Sequence, residues 1–229
     1  MATTPQARRL QLLLGAAEAL GVVLQDAQAV QLLAYLDLLQ RWNRVYNLTA
    51  LRDPTEMLSH HLIDCLAVLP PLQRWCDEVG WPAEGLRLLD VGSGGGLPGV
   101  VLAALQPAWR VDCVDTVAKK ASFIRQVAAE LRIAGLRGLH TRVEALEPPA
   151  GGYRLITSRA FSSLADFTAL TAHLLAADGV WMAMKGKLPS DELAALPSTV
   201  DVFHVEQLAV PGLDAQRCLV WMRPRAAAA

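Results

Sequence analysis

The residues of this 229-residue chain best suited to chemistry sit at 88–101, LLDVGSGGGLPGVV, where an apolar run ends at Asp90 and five of the next nine residues are glycine. A glycine-rich turn between a strand and a helix lets backbone N–H groups approach a nucleotide-like ligand. Two kinds of ligand compete for it. Gly94-Gly95-Gly96-Leu97-Pro98-Gly99 fits the G-x-G-x-x-G pattern of dinucleotide sites. That fingerprint should begin directly after the strand, however. Counted from Gly92 its third glycine is replaced by Leu97, and counted from Gly94 it encloses Pro98. Asp90 would also set a carboxylate against a pyrophosphate, an unfavourable pairing when both are partly buried. S-adenosylmethionine has the opposite character, a sulfonium and an ammonium with no phosphate. The spacing Asp90-x-Gly92-x-Gly94-x-Gly96 is the acid-x-G-x-G-x-G pattern of methyltransferases, so the sequence assigns a methyl donor to Asp90, Gly92 and Gly94.

Further candidates follow at intervals. RVDCVDT ends at Asp115, about 20 residues past the loop, where a carboxylate would reach ribose hydroxyls. The same residue could cap a helix starting at Val117, a compatible role. In TRVEAL, Glu144 could accept from an adenine amino group while the Val143–Glu144 backbone meets the ring edge; the plainer alternative is a solvated loop glutamate. On the acceptor side, LITSRAF lacks the [DN]-P-P-[YF] segment of many exocyclic-amine methyltransferases, and no Pro-Cys pair offers a pyrimidine-directed nucleophile. The acceptor should therefore be an atom that is already nucleophilic. Guanine N7 fits, because its in-plane lone pair needs no deprotonation, and positioning with water exclusion then suffices. No general base is expected and no catalytic side chain is assigned. Carboxyl or hydroxyl acceptors of small molecules remain open on chemistry alone. Arg159 suits the carboxylate of the donor or an RNA phosphate, since a guanidinium matches either anion. Phe161 suits stacking or core packing.

These residues need elements to hold them. Strand-like segments are read at 86–91, 110–115, 138–143, 153–158, 180–185, 200–205 and 218–222, with helical patterns such as 117–133 and 164–176 between the first five. Such alternation predicts an α/β architecture, a mostly parallel sheet with helices on both faces. The last two strands lack an intervening helix, which allows an antiparallel pair at an edge. Residues 6–80 read as helical. Between Ala27 and Tyr46 an apolar stripe is expected at Val30, Leu33, Leu36, Leu39, Trp42, Val45 and Tyr46, with Leu32 and Tyr35 alongside. Asp53 should cap a helix beginning at Pro54, with Glu56 in its first turn. The expected organisation is a helical extension over 1–80, a main domain over 81–225 and an unanchored, disordered tail at 226–229. The N-terminal segment reads as a helix rather than a signal peptide, because Glu18 continues a helical pattern.

Composition narrows the partners. Net charge is −1, so any nucleic acid must be met by a local basic face. Candidates are Lys119, Lys120, Arg125, Lys185 and Lys187, with Arg44 near the end of the apolar stripe; Asn47 is divided between turn chemistry and RNA contact. Four scattered cysteines without C-x-x-C suggest reduced thiols and a cytoplasmic setting. No apolar run approaches the ~20 residues of a membrane span. His60, His61 and Asp64 share a helical turn, but adjacent histidines face different ways and no metal set is expected.

RWNRVYNLTALRDPTEML, His61-x-x-Asp64, LDVGSGGGLPG, KKASFIRQV, RVE, SRAF and MKGK occur in this order. Together they resemble the RsmG (GidB) family, guanine-N7 methyltransferases of bacterial small-subunit ribosomal RNA, from about Leu32 to Trp221. The resemblance implies a class I, Rossmann-like methyltransferase fold: a mostly parallel seven-stranded sheet with an N-terminal helical extension. It implies S-adenosylmethionine as donor and, as acceptor, N7 of one guanine in a 16S rRNA loop near the decoding site. The partner would be 16S rRNA or the small ribosomal subunit, met by a cytoplasmic monomer. Donor contacts would fall on Gly92, Leu97, Val143, Glu144 and Arg159. The all-glycine SGGGLPG departs from relatives that carry Thr, Ala or Pro inside the loop, which bears on loop rigidity. Two other functions suit the residues alone, a small-molecule methyltransferase and a donor-binding module without turnover.

Overall fold

Seven strands pair in the spatial order β3-β2-β1-β4-β5-β7-β6 in the computed structural model, which describes residues 4–225. They are β1 (Arg87–Val91), β2 (Arg110–Asp115), β3 (Leu136–His140), β4 (Tyr153–Arg159), β5 (Leu175–Lys185), β6 (Val200–Leu208) and β7 (Arg217–Pro224). β1 runs parallel to β2 and β4, β2 to β3, and β4 to β5. β7 lies antiparallel between β5 and β6. The expected antiparallel pair is present, but β7 sits inside the sheet and only β6 forms the edge. Strand order reverses between β1 and β4, and in such sheets a ligand crevice opens beyond the carboxyl ends at that reversal.

β1 is buried on both faces, as a central parallel strand must be. Alternate residues feed two cores. Leu88, Leu155, Val180 and Met182 point into the one shared with the N-terminal helices, whereas Leu89, Ile156, Trp181 and Ala183 meet Leu164 and Phe167 on the other face. The N-terminal layer comprises α1 (Pro5–Ala19), α2 (Asp26–Tyr46), α3 (Pro54–Met57), a π-helical turn (Leu58–Ile63), α4 (Asp64–Leu66) and α5 (Leu69–Val79). Its Leu13, Leu32, Tyr35, Leu39, Leu62 and Leu66 join sheet residues in one continuous core. The remaining helices are α6 (Gly99–Leu105), α7 (Ala118–Glu130), α8 (Leu164–Thr171) and α9 (Ser190–Ala194). Among the described residues, no helix is long and apolar enough to cross a membrane.

Local physics accounts for the starts and stops. Asp53 caps α3 by accepting from Thr55 and Glu56 N–H groups at 2.8 and 2.9 Å. α2 ends at Asn47 in the left-handed region, φ 51°, a conformation Asn tolerates better than most residues.

Several expectations shift. The buried side of α2 includes Ala29, Leu32, Leu36, Leu39 and Asn43, while Val30, Val45 and Tyr46 are 52%, 70% and 40% exposed. Leu33, Leu36 and Leu39 hold the expected stripe; its two ends rotate out of it. β3 ends at His140 rather than 143, because Val143 is buried from a separate 3-10 turn, Val143–Ala145. β5 starts at Leu175, and α8 gives way at Thr171 to a 3-10 turn, Ala172–Leu174. α7 occupies only Ala118–Glu130 of the helix expected over 117–133. The tail expected to be disordered, 226–229, lies outside the described residues.

Candidate active site

The loop that follows β1 is fastened from below, from the side and from above. From below, the Asp90 carboxylate accepts the Gly99 N–H at 2.9 Å. Beside it, the Gly92 and Ser93 N–H groups donate to the Val114 carbonyl at 3.0 and 3.2 Å, and Asp115 accepts from Gly94 N–H at 3.1 Å. From above, the Tyr35 hydroxyl of α2 donates to the Gly95 carbonyl at 2.7 Å. Gly92, Gly94 and Gly96 take φ of 63°, 56° and 91°, values that side-chain-bearing residues rarely adopt. At Gly96 a Cβ would sit 2.5 Å from Ile124 and Val100, so the loop packs there on the neighbouring helices. At Gly94 it would meet nothing closer than the Gly92 carbonyl at 3.9 Å. Gly94 lines the cavity described next, so a side chain there would take up ligand space.

Two cavities flank the loop at the carboxyl ends of the strands, of about 530 and 460 Å³, and both are lined by Gly92, Lys120 and Ala160. Asp115, Val143 and Glu144 line the smaller one with Phe161, whose ring covers the Cα of Gly92. Gly92, Gly94, Leu97 and Arg159 line the larger one, with Thr49, His61 and Asp64 from the helical layer and Arg217 from β7. Of the residues expected to hold a donor, only Asp90 lines neither cavity. Its side chain is fully buried under the loop, with one oxygen on Gly99 and the other without a partner. Burial pushes its carboxyl up to about 7, against the opposing pull of the Gly99 N–H and the positive charge of Arg159. Asp90, expected to face the ligand, holds its carboxylate under the loop on the Gly99 N–H and off both cavities. Asp115 meets the helix expectation in altered form: Oδ1 accepts from Val117 N–H at 2.9 Å, at the start of α7, and Lys120 approaches Oδ2 to 3.3 Å.

Arg159 is held from the helical layer. Its Nη1 donates to the His60 carbonyl at 2.9 Å and to Asp64 Oδ2 at 3.2 Å. Asp64, 2% exposed, also accepts from Arg217 Nε at 2.7 Å, so one buried carboxylate orients two guanidiniums on the larger cavity. The π-helical turn delivers these groups, since Asp64 directly follows it. Such turns occur often at functional sites. Burial, and then the charge of Arg159, lower the His61 imidazole to about 4.

Comparison with known proteins fits this geometry. Residues 28–220 match the family model described as GidB, rRNA small subunit methyltransferase G. The chain belongs to this family. It is 61% identical over 215 residues to "Ribosomal RNA small subunit methyltransferase G" of Paracidovorax citrulli, covering 91% of this chain and 87% of that one. It is 62% identical over 216 residues to the protein of the same name from Leptothrix cholodnii, covering 94% and 96%. Among solved structures, a SAM dependent methyltransferase from Aquifex aeolicus superposes with a TM-score of 0.54 at 16% identity, covering 83% of this chain and 97% of that one. Magnesium protoporphyrin IX methyltransferase from Synechocystis, solved with bound SAM, gives 0.51 at 17%, covering 88% and 98%. At these identities the two structures speak for the fold, a Rossmann-like methyltransferase sheet.

The residues expected to give this family member a basic face divide into two groups. Lys185 is committed internally, to Glu192 at 2.7 Å and to the Ser162 carbonyl at 3.2 Å. Lys120 pairs with Asp115, and Arg125 donates to Ser122 and the Gly138 carbonyl. Asn47 serves as the cap of α2 and accepts from Arg52 at 2.6 Å. Lys119, Lys187 and Arg44 are exposed and have no carboxylate partner among the described residues. Sequence alone gives no site role to the cavity residues Asp64, His61, Thr49 and Arg217. Asp64 and His61 were set aside with the metal question, and Arg217 drew no attention because nothing near it in sequence marks a site. The His61-x-x-Asp64 spacing was the available signal.

Proposed function

We propose that this protein is an S-adenosylmethionine-dependent methyltransferase acting on N7 of a guanine in 16S rRNA, in the cytoplasm and on the small ribosomal subunit or its RNA. One observation carries the reading: the glycine loop separates two cavities that meet at Gly92, where strand order reverses, in a chain of this family. The residues suit the donor. Gly94 leaves cavity space beside the loop, Asp115 and Glu144 offer carboxylates in the smaller cavity, and Arg159 offers a cation in the larger one. On this reading Asp115, Val143 and Glu144 hold the nucleoside, while Gly92, Gly94, Leu97 and Arg159 hold the amino-acid end. When bound, S-adenosylmethionine supplies a methyl group on a cationic sulfur, already electrophilic.

The protein's share is then orientation and exclusion of water. Guanine N7 carries its lone pair in the ring plane and loses no proton on methylation, so no side chain need act as a base. The carboxylates support this. Asp64 is engaged by two arginines, and Asp90 lies under the loop and off both cavities. Lys119, Lys187 and Arg44 provide cations for RNA phosphates.

The test is to incubate the protein with labelled S-adenosylmethionine and small subunits lacking the modification, then map the label. Methyl on N7 of one guanine is the expected result. Label in a small metabolite instead, or donor binding with no labelled RNA, would replace this reading.

A further inference from the structure

Thr49, in the link between α2 and α3, lines the larger cavity with a hydroxyl whose proton direction is fixed by its neighbours. The buried Asn43 holds the link from both sides: its Oδ1 accepts the Thr49 N–H at 2.9 Å, and its Nδ2 donates to the Leu51 carbonyl at 3.0 Å. The side chain is fixed by a chain of donors. A guanidinium only donates, so Arg159 Nη2, 3.5 Å from His61 Nδ1, makes that ring nitrogen an acceptor. The ring is buried and its imidazole is lowered to about 4, so at neutral pH it carries one proton, which the Arg159 contact assigns to Nε2. Nε2 lies 3.0 Å from Thr49 Oγ1 and with that assignment donates to it, and the Leu51 N–H donates to the same oxygen at 3.3 Å. A hydroxyl has two acceptor lone pairs and one proton. Both lone pairs are filled, and among the described residues no acceptor takes the proton. Thr49 therefore faces the cavity as a donor only. Arg159 and Arg217 also donate there, but their charge suits anions.

We propose that Thr49 is a specificity-determining residue whose hydroxyl donates to O6 of the acceptor guanine, the oxygen beside the methylated N7. This rests on the guanine-N7 reading above. Guanine presents N7 and O6 as neighbouring acceptors, whereas adenine presents N7 beside an amino donor. A hydroxyl that cannot accept turns this difference into selection: it pairs with guanine and sets donor against donor with adenine.

The experiment uses small subunits reconstituted with guanine, inosine or 2-aminopurine at the methylated position. All three bases keep N7, but only guanine and inosine keep O6. Wild-type protein should methylate inosine much as it does guanine and lose roughly 10–100-fold in kcat/KM on 2-aminopurine. T49V should show a similar loss on guanine and little further loss on 2-aminopurine, while T49S stays near wild type on guanine. Donor affinity should be unchanged in both variants. Equal wild-type rates on all three bases would overturn the proposal without reference to any variant. T49V losing the same factor on 2-aminopurine as on guanine would also overturn it, by reducing Thr49 to a support for the link. Failure of wild-type protein to methylate guanine N7 at all would show instead that the underlying reading is wrong.

Discussion

Asp64 and Asp90 are both shut away from water near the same loop, yet their surroundings are opposite. Asp64 sits between two guanidiniums, at 3.2 and 2.7 Å. Asp90 has one backbone N–H at 2.9 Å and an oxygen without a partner. The first is a balanced charge that aims two cations at the cavity. The second is a poorly compensated acid whose burial drives its carboxyl up to about 7, and among the described residues its one hydrogen bond holds the Gly99 backbone. Burial of a carboxylate therefore does not by itself mark ligand contact; the partner set decides the role.

Removing the balanced carboxylate should have the larger effect. Asp64→Ala leaves two guanidiniums facing each other without their shared anion, and breaking a buried pair costs about 3–5 kcal/mol. Arg159 and Arg217 keep side-chain exposures of 23% and 21%, so water can take part of the load and the lower end is expected. Urea unfolding at pH 7 measures it. A loss under about 1 kcal/mol would erase the contrast, placing this pair among surface ion pairs.

Asp90→Asn should act in the opposite direction. Asn keeps an acceptor for the Gly99 N–H and removes the buried charge. The folded-state carboxyl titrates at about 7, above its ordinary 3.8. Its favourable contribution is therefore full below about pH 4 and is lost as pH rises to about 7. The variant should match wild type near pH 4 and exceed it by about 2–4 kcal/mol at pH 8. Unfolding midpoints across that range give the answer, and a gap independent of pH would show that Asp90 carries no such burden.

The same contrast explains what the sequence could tell. Asp90 and its partner are 9 residues apart, within one strand–loop–helix unit, so the loop, the strands around it and Asp115 were readable from local pattern. Asp64 meets partners 95 and 153 residues away. No periodicity connects a helical turn, the end of β4 and the start of β7, and only the folded sheet brings them together. Thr49 was hidden in the same way, because its role depends on Asn43, His61 and Arg159 at once. The orientation of α2 was half legible. Its apolar stripe showed which residues were candidates for burial, but Val30 and Val45 are left uncovered by a tertiary arrangement that a one-dimensional pattern does not contain. The internal pairing of Lys185 with Glu192 was likewise invisible to a count of cations.

Two glycines sharpen the difference between the Asp90 contact and the cavity side of the loop. At Gly99 an added Cβ would lie 2.5 Å from Cys113 Sγ and 2.8 Å from Asp90 Oδ2, so Gly99→Ala overpacks that contact and should cost about 1–3 kcal/mol of stability. At Gly94 the space is open, and the cost to folding comes from positive φ alone, about 1 kcal/mol. Gly94→Ala should instead be read in donor binding, weakened roughly tenfold by the lost space and the disturbed loop. Melting curves and calorimetric titration together separate the two. Equal effects of both variants on stability and on donor affinity would mean that the loop is a single unit.

The smallest effect is expected at Glu144, at the rim of the smaller cavity. Its carboxylate is exposed, and Arg142 donates to it at 3.2 Å, which contributes to a pKa below the ordinary carboxylate value after a larger backbone hydrogen bond. It therefore stays an acceptor throughout the neutral range. Glu144→Ala should leave unfolding unchanged, because no buried partner is abandoned. If Glu144 accepts from the adenine amino group, donor affinity should fall roughly three- to tenfold, and 7-deaza-adenosyl donor analogues, which keep the amino group, should show the same fall. A donor analogue lacking that amino group should bind wild type and variant alike. If Glu144→Ala binds S-adenosylmethionine as tightly as wild type does, the adenine lies elsewhere, and the nucleoside must then be sought in the larger cavity beside Asp64, on the balanced side of the comparison.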